Sequence, residues 1–435
     1  MKILIIYHQK SERERNTVVE YLESFRNYSN EKIFYLNAFY RIPKFIKKIK
    51  FDAVIYHYSF CITKWEGAKY FNLVLNKINI LKSVSGYKIA APQDEYVNSD
   101  LLNHFFKEFG IKTVFTCFTE EDWEKVYPKE KSGLEYYFSV FPGYIDENAI
   151  QTIGKDCKKH SQRSLDVGYR ARKVPYWLGF FGLRKWLVTE KFLECPASKE
   201  LIHDVSNDEH KVFYGDKWYK FLGNCRVFLG SEGGASLHDP NGTIRKKVED
   251  FVTKNPNAPF EEVEKNCFAG NDGNIRLYSL SPRHFEACIT RTCQALVEGN
   301  YGGIFKPGVH YIEIKEDWSN IEEVIDKIKD VAYCEQLAGN AYRDIVESGK
   351  YTYREFVKII FEHVRSVQPI VSNNDNDSFW EFLLKLYHKI EFLRPKYIMM
   401  KLIFIVYHKI LNIVPDLQQN KLFVKIKNVI LNLTK

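Results

Sequence analysis

Short apolar runs alternating with amphipathic or charged stretches constrain this chain more than any other feature. In the first 150 residues the runs fall at 2–7, 32–36, 53–58, 87–91 and 113–117, separated by stretches such as 12–28 and 98–109. Strands that alternate with helices build β-α-β units around a parallel sheet covered on both faces. A polar stretch at 148–163 marks a boundary, and a second series follows at 164–169, 211–214, 225–229, 294–297 and 311–314. The expected fold class is therefore α/β, with two Rossmann-like domains (1–150 and 164–350) facing a central cleft. Ligands on such sheets bind beyond the carboxyl ends of the strands.

Two regions break the alternation. The interval 236–277 is polar and turn-rich, with Asp-Pro-Asn-Gly at 239–242 and Asn-Pro-Asn-Ala-Pro at 255–259 around one short helix near 261–266. Long insertions of this kind inside a compact domain are commonly functional. Residues 379–435 repeat aromatic and aliphatic positions at helical spacing (Phe382, Leu383, Leu386, Tyr387, Ile390), interrupted at Pro395 and Pro415.

Charge separates the tail from the body. The chain of 435 residues has 63 Lys+Arg against 55 Asp+Glu, a net of +8. Ten basic and three acidic residues fall in 379–435, so residues 1–378 carry only +1. A near-neutral body argues against a nucleic-acid partner, and none is expected. Basic amphipathic helices suit an anionic membrane surface; the alternative is a helical cap packed on the domains or on a second subunit of a homo-oligomer. Nine cysteines without any C-x-x-C indicate reduced thiols and a cytosolic compartment. The apolar run at 3–7 is shorter than the roughly 7–15 residues of a signal-peptide core, and no run reaches the ~18 apolar residues of a membrane span. The expected location is cytoplasmic, peripheral on the inner face of the plasma membrane.

Three segments of the second domain carry candidate chemistry. Asp166-Val-Gly-Tyr-Arg-Ala-Arg172 runs from a strand into a turn, where Gly168 permits close backbone approach and the forks of Arg170 and Arg172 suit phosphate oxygens. A surface turn with solvated arginines is the alternative. Phe228-Leu-Gly-Ser-Glu-Gly-Gly-Ala-Ser236 places Glu232 among small residues at a strand end, or is simply a tight turn. In Leu280-Ser-Pro-Arg-His-Phe-Glu-Ala-Cys288, Ser281 is a predicted N-cap and Pro282 a first helical residue. The free N–H groups and Arg283 favour a phosphate, and Glu286 one turn on can accept from sugar hydroxyls; a capped helix with exposed Arg and Glu is the alternative.

In this order, and followed by Glu298-Gly-Asn-Tyr-Gly-Gly-Ile-Phe-Lys-Pro-Gly-Val-His-Tyr-Ile-Glu-Ile314, the segments resemble the nucleotide-binding half of two-Rossmann-domain (GT-B) glycosyltransferases. They are most similar to the spore-maturation CgeB-like branch. The similarity is clearest over 164–330; Ala91-Pro-Gln-Asp-Glu-Tyr96 and Phe115-Thr-Cys-Phe-Thr119 match more weakly. The resemblance implies a nucleotide-sugar held by the second domain and a glycan or lipid-linked acceptor bound mainly by the first. It places Glu286 at the ribose, Ser281 and Arg283 at the diphosphate with Arg170 and Arg172 assisting, and a helix over 351–370 packed back on the first domain. Many retaining members carry a glutamate eight positions before the ribose glutamate; here Tyr278 stands there, with Glu232 as a possible displaced counterpart, so retention and inversion both stay open.

An inverting transfer needs a base for the acceptor hydroxyl. Asp94 and Glu95, beyond the run at 87–91, are candidates, or else a helix cap and a first-turn acid. His57 is a further candidate, or a satisfied core histidine, and Asp239 is a turn residue. No metal or other cofactor is expected, since Asp375-Asn-Asp377 lies in a polar spacer rather than at a strand end. A non-catalytic binding protein and a sugar-nucleotide epimerase are the competing functions.

Overall fold

The computed structural model describes residues 1–11, 15–154, 157–369 and 378–391. The Asp-Asn-Asp spacer and tail residues 392–435 lie outside these.

The first unit is a six-stranded parallel sheet of β1 (Lys2–Tyr7), β2 (Lys32–Asn37), β3 (Ala53–Tyr56), β4 (Tyr87–Ala90), β5 (Thr113–Thr116) and β6 (Tyr136–Ser139), in the order β2-β1-β3-β4-β5-β6. Every residue of β1 and β3 is buried, so their sequences read as unbroken apolar runs rather than alternating ones. Helices α1 (Asn16–Asn27) and α2 (Ser99–Phe109) cover its faces.

The second unit is also parallel. β7 (Leu165–Arg170), β8 (His203–Ser206), β9 (Cys225–Gly230), β12 (Cys293–Val297) and β13 (Ile312–Ile314) lie in the order β13-β12-β9-β7-β8. Between β9 and β12 runs a separate antiparallel pair, β10 (Gly233–Ala235) with β11 (Leu277–Ser279). The chain places β8 on one side of β7 and β9 on the other, and such a switch point opens a crevice at the carboxyl ends. The helices of this half are α3 (Gly179–Glu194), α4 (Asp216–Asn224), α5 (Thr243–Lys254), α6 (Phe260–Cys267) and α7 (Pro282–Ile289). The strand expected at 211–214 is not formed: residues Glu209–Lys211 make a 3-10 turn, and the edge strand lies earlier, at β8.

The interval 236–277 contains two helices, α5 and α6, not one. Its apolar residues Leu237, Val248, Val263, Phe268 and Ile275 share a core with Leu4, Val54 and Leu102 of the first unit. Backbone bonds from Asn98 N to Asp239 O (2.8 Å) and from Asp239 N to Tyr96 O (2.8 Å) tie it to the loop after β4. A segment inserted into the second sheet's chain is thus packed on the first sheet.

Helix α8 (Tyr353–Val367) crosses back. Thr352 caps it by accepting from Glu355 N, and Phe356, Val357, Ile360, Phe361 and Val364 join Ile3, Ile5 and Phe115 in one core. Helix α9 (Ser378–Lys389) lies on β2, the edge strand, where Trp380 stacks on Phe45 at 5.9 Å and Leu384 is buried. No described helix is long and apolar enough to cross a membrane.

Candidate functional site

The crevice at the carboxyl ends of β7, β9 and β12 gathers three cations. Arg172 lies just past β7, Lys185 projects from α3, and Arg283 sits in the first turn of α7. A β-carbon on Gly233 would come within 2.5 Å of Lys185 Nζ, so the glycine makes room for the ammonium. Burial pulls the Lys185 pKa down to about 8, helped by Arg283 and Arg172 and opposed by Asp94. None of the three cations has a carboxylate ion-pair partner among the described residues, whereas neighbouring Arg184 pairs with Glu316 at 2.6 Å. Three cations without a close ion pair, converging on one crevice, attract an anion.

Trp218 of α4 orders the adjoining wall. Its Nε1 donates to Glu286 Oε2 at 2.7 Å, and the Arg283 guanidinium lies 5.3 Å over its ring. Arg283 also donates to the Arg170 carbonyl at 2.5 Å. Burial raises the Glu286 pKa, while Trp218 and Arg283 favour the carboxylate. Ser281 caps α7 with its hydroxyl unused by the helix; Pro282 has no N–H and His284 N donates to Ser281 O at 3.0 Å, so the first-turn N–H left to a ligand is that of Arg283. From the opposite wall, α1 brings Glu20 toward Glu286; burial, Glu286 and Asp146 push Glu20 up to about 8.

Asp94 comes from the first unit, in a left-handed backbone conformation (φ 53°). Its carbonyl accepts from Lys64 Nζ at 2.8 Å and from Trp65 Nε1 at 3.3 Å, and Lys64 also donates to Val97 O at 3.0 Å. Arg245 of α5 lies over Trp65 at 5.7 Å and Trp177 at 5.1 Å. The insertion therefore buttresses the loop that carries Asp94.

Of the residues expected from sequence, Asp94, Arg172, Ser281, Arg283 and Glu286 come together at this crevice, and five others take different positions. His57 is fully buried and pushed down to about 3 by burial; its Nδ1 accepts from Ser59 N at 3.1 Å, so it is a neutral helix cap rather than a base in the cleft. Glu95 is fully buried as well, accepting from Thr116 and from Tyr127 OH (3.2 Å), and burial raises its pKa. It points into the core while its neighbour Asp94 faces out. Gly168 lies inside β7, where a β-carbon would sit 2.2 Å from Cys225 Sγ; its role is packing, not ligand approach.

The guanidinium of Arg170 is spent on Asp204 (2.5 Å to Oδ2, 2.7 Å to O) and Lys211 O (3.0 Å), between Phe213 and Phe221, and does not reach the crevice. Glu232 is 2% exposed and accepts from Tyr301 N at 2.7 Å and Asn300 N at 3.3 Å. A β-carbon on Gly299 would fall 2.5 Å from its Oε2. Glu232 thus clamps the loop after β12 instead of facing a substrate. Asp239 is a buried turn residue that accepts from Arg245 N at 2.8 Å. Tyr278, at the position of the missing glutamate, stacks on Phe181 at 3.7 Å. Sequence reasoning missed Lys185, Trp218 and Glu20, which sit inside helices that carry no motif. Among the described residues no group of three or more His, Cys, Asp or Glu is placed to hold a metal.

No family model and no curated protein matches the chain. Solved structures do. An α-glucosyltransferase in complex with UDP-glucose and DNA containing an abasic site is 12% identical, with 84% of this chain and 99% of that one covered at a TM-score of 0.50. An α-glucosyltransferase in complex with UDP and a 13-mer DNA bearing a central A:G mismatch is 11% identical, with the same coverage and a TM-score of 0.50. The chain has the two-domain GT-B fold of these proteins. The narrower likeness to the spore-maturation branch has no counterpart among these matches. One expectation is corrected here: both fold neighbours are complexes with DNA, so the near-neutral charge of residues 1–378 does not exclude a nucleic-acid partner.

Proposed function

We propose that the chain is a glycosyltransferase that takes a UDP-sugar donor in this crevice. The observation that carries the reading is the trio Arg172, Lys185 and Arg283, without a close ion-pair partner among the described residues and set beside Trp218–Glu286. The trio, with Arg283 N at the start of α7, binds the diphosphate, and Glu286 receives the ribose hydroxyls. In the transfer the bond from the anomeric carbon to the phosphate oxygen breaks and a bond to the acceptor oxygen forms. The nucleoside diphosphate leaves with the charge that the trio stabilises. Asp94, facing Lys185 from the first unit, takes the acceptor's proton. The fold neighbours in complex with UDP-glucose and with UDP support the donor class.

The acceptor hydroxyl enters along the first unit. A glycan or lipid-linked acceptor at the membrane face is the finer reading, and duplex DNA is assayed beside it. The test is UDP release from UDP-glucose with each acceptor, for wild type and Asp94→Asn. Asp94→Asn is expected to keep donor affinity and lose roughly 100-fold or more in kcat, the scale of a general base. Absence of acceptor-dependent turnover with intact donor binding would replace the reading with a non-catalytic one, and conversion of the donor sugar without acceptor would replace it with an epimerase.

A further inference from the structure

The outward side of α9 carries four exposed large apolar side chains. Phe379, Phe382, Leu386 and Ile390 are 58%, 61%, 42% and 41% exposed and fall at helical spacing along one stripe. The helix itself is fixed in place: Trp380 stacks on Phe45, His388 stacks on Tyr35 at 5.4 Å, and Glu381 pairs with Lys2 at 2.7 Å. Both acidic residues of this segment turn inward, Glu381 to Lys2 and Glu391 to Tyr7, so the outer face presents only apolar groups and the exposed Lys385 and Lys389.

Beside it runs the 3-10 turn Lys44–Lys48, which packs against α9. No acidic residue occurs anywhere between Glu31 and Asp52. The side chains of Arg41, Lys44, Lys47 and Lys48 are exposed and have no carboxylate partner among the described residues. An apolar stripe on a docked helix is therefore adjoined by a turn that carries exposed cations.

We propose that this face, α9 together with the turn Lys44–Lys48, docks on an anionic lipid bilayer. The stripe enters the interface and the cations meet lipid phosphates and carboxylates. Charge selects this occupant over the others. The remaining tail, 392–435, holds eight basic residues and one acidic residue, so covering the face with it would set like charges together. A second copy meeting face to face would do the same. Nucleic-acid phosphates would use the cations, but a duplex backbone offers nothing to four exposed apolar side chains. The inference stands independently of the donor reading, because it uses no residue of the crevice.

The test is co-sedimentation of the full chain with phosphatidylserine-containing vesicles and with pure phosphatidylcholine vesicles. Two variants change only exposed side chains: Lys44→Glu/Lys47→Glu/Lys48→Glu and Phe382→Glu/Leu386→Glu. Wild type is expected to bind the anionic vesicles selectively. The lysine variant is expected to lose roughly 100-fold in apparent affinity, and the apolar variant a comparable amount, with both retaining wild-type thermal melts and UDP-glucose binding. Vesicle binding unchanged in both variants, or absent in wild type, would overturn the proposal. So would a lysine variant that loses only duplex-DNA binding, or an apolar variant that merely abolishes a dimer.

Discussion

Individual side chains in the crevice titrate in ways that can be read directly. The Lys185 ammonium, held at about 8 by burial and by Arg283 and Arg172, is charged below that pH and neutral above it. UDP-glucose affinity should therefore fall as pH rises through about 8, and Lys185→Arg should flatten the profile, because a guanidinium stays charged. Calorimetric titrations at pH 7 and pH 9 measure this. Glu20 moves the other way: its folded pKa of about 8 lies above the ordinary carboxylate value. The unfolded chain releases that proton at lower pH than the folded chain, so folding loses stability as pH rises between about 4.5 and about 8. Glu20→Gln removes this loss and should raise Tm at pH 8 while leaving Tm at pH 4 little changed. Glu232 acts through the loop it clamps. Glu232→Ala strands two backbone N–H groups and should cost about 1–3 kcal/mol of stability by denaturant titration, an effect that a purely catalytic carboxylate would not show.

At the scale of elements, burial decided what the sequence could reveal. β1, β3, β4 and β9 are interior strands whose apolar runs need no alternation, and they lie within a residue or two of where they were expected. β6 (Tyr-Tyr-Phe-Ser) and β8 (His-Asp-Val-Ser) are edge strands with no buried residue, so their sequences carry little hydrophobic pattern. The run at 211–214 reads as a strand from its apolar residues, yet Phe213 packs beneath the Arg170 guanidinium without joining the sheet. Helix α5 went unseen because only Val248 is buried along its length. The site followed the same logic. Residues in strand-end turns and at a proline-started helix, such as Arg172 and Arg283, were legible from local chemistry. Arg170 was not, because alternate positions of a strand face opposite sides and only tertiary packing shows which side is occupied. Helix α8 supplies a quantitative check: Phe356→Ala removes a buried ring shared with Tyr21 and Tyr144 and should destabilise the protein by about 3–5 kcal/mol.

The whole molecule is two parallel sheets held together by reciprocal exchange. The second half lends residues 236–277 to the first sheet's core, and α8 returns from the end of the second unit to cover the first. The crevice forms where the exchange brings Asp94 and Glu20 opposite Lys185 and Glu286. In the sequence the basic excess of the chain falls in residues 379–435. The proposed transfer chemistry requires the crevice to be an anion site with an adjoining ribose carboxylate. Calorimetric titration of UDP-glucose into wild type, Lys185→Ala, Arg283→Ala and Glu286→Ala tests that directly. Wild type should bind, and each substitution should weaken binding by roughly 10- to 100-fold, the worth of one charge-assisted hydrogen bond. Affinity unchanged across all three variants, or no binding by wild type, would contradict it.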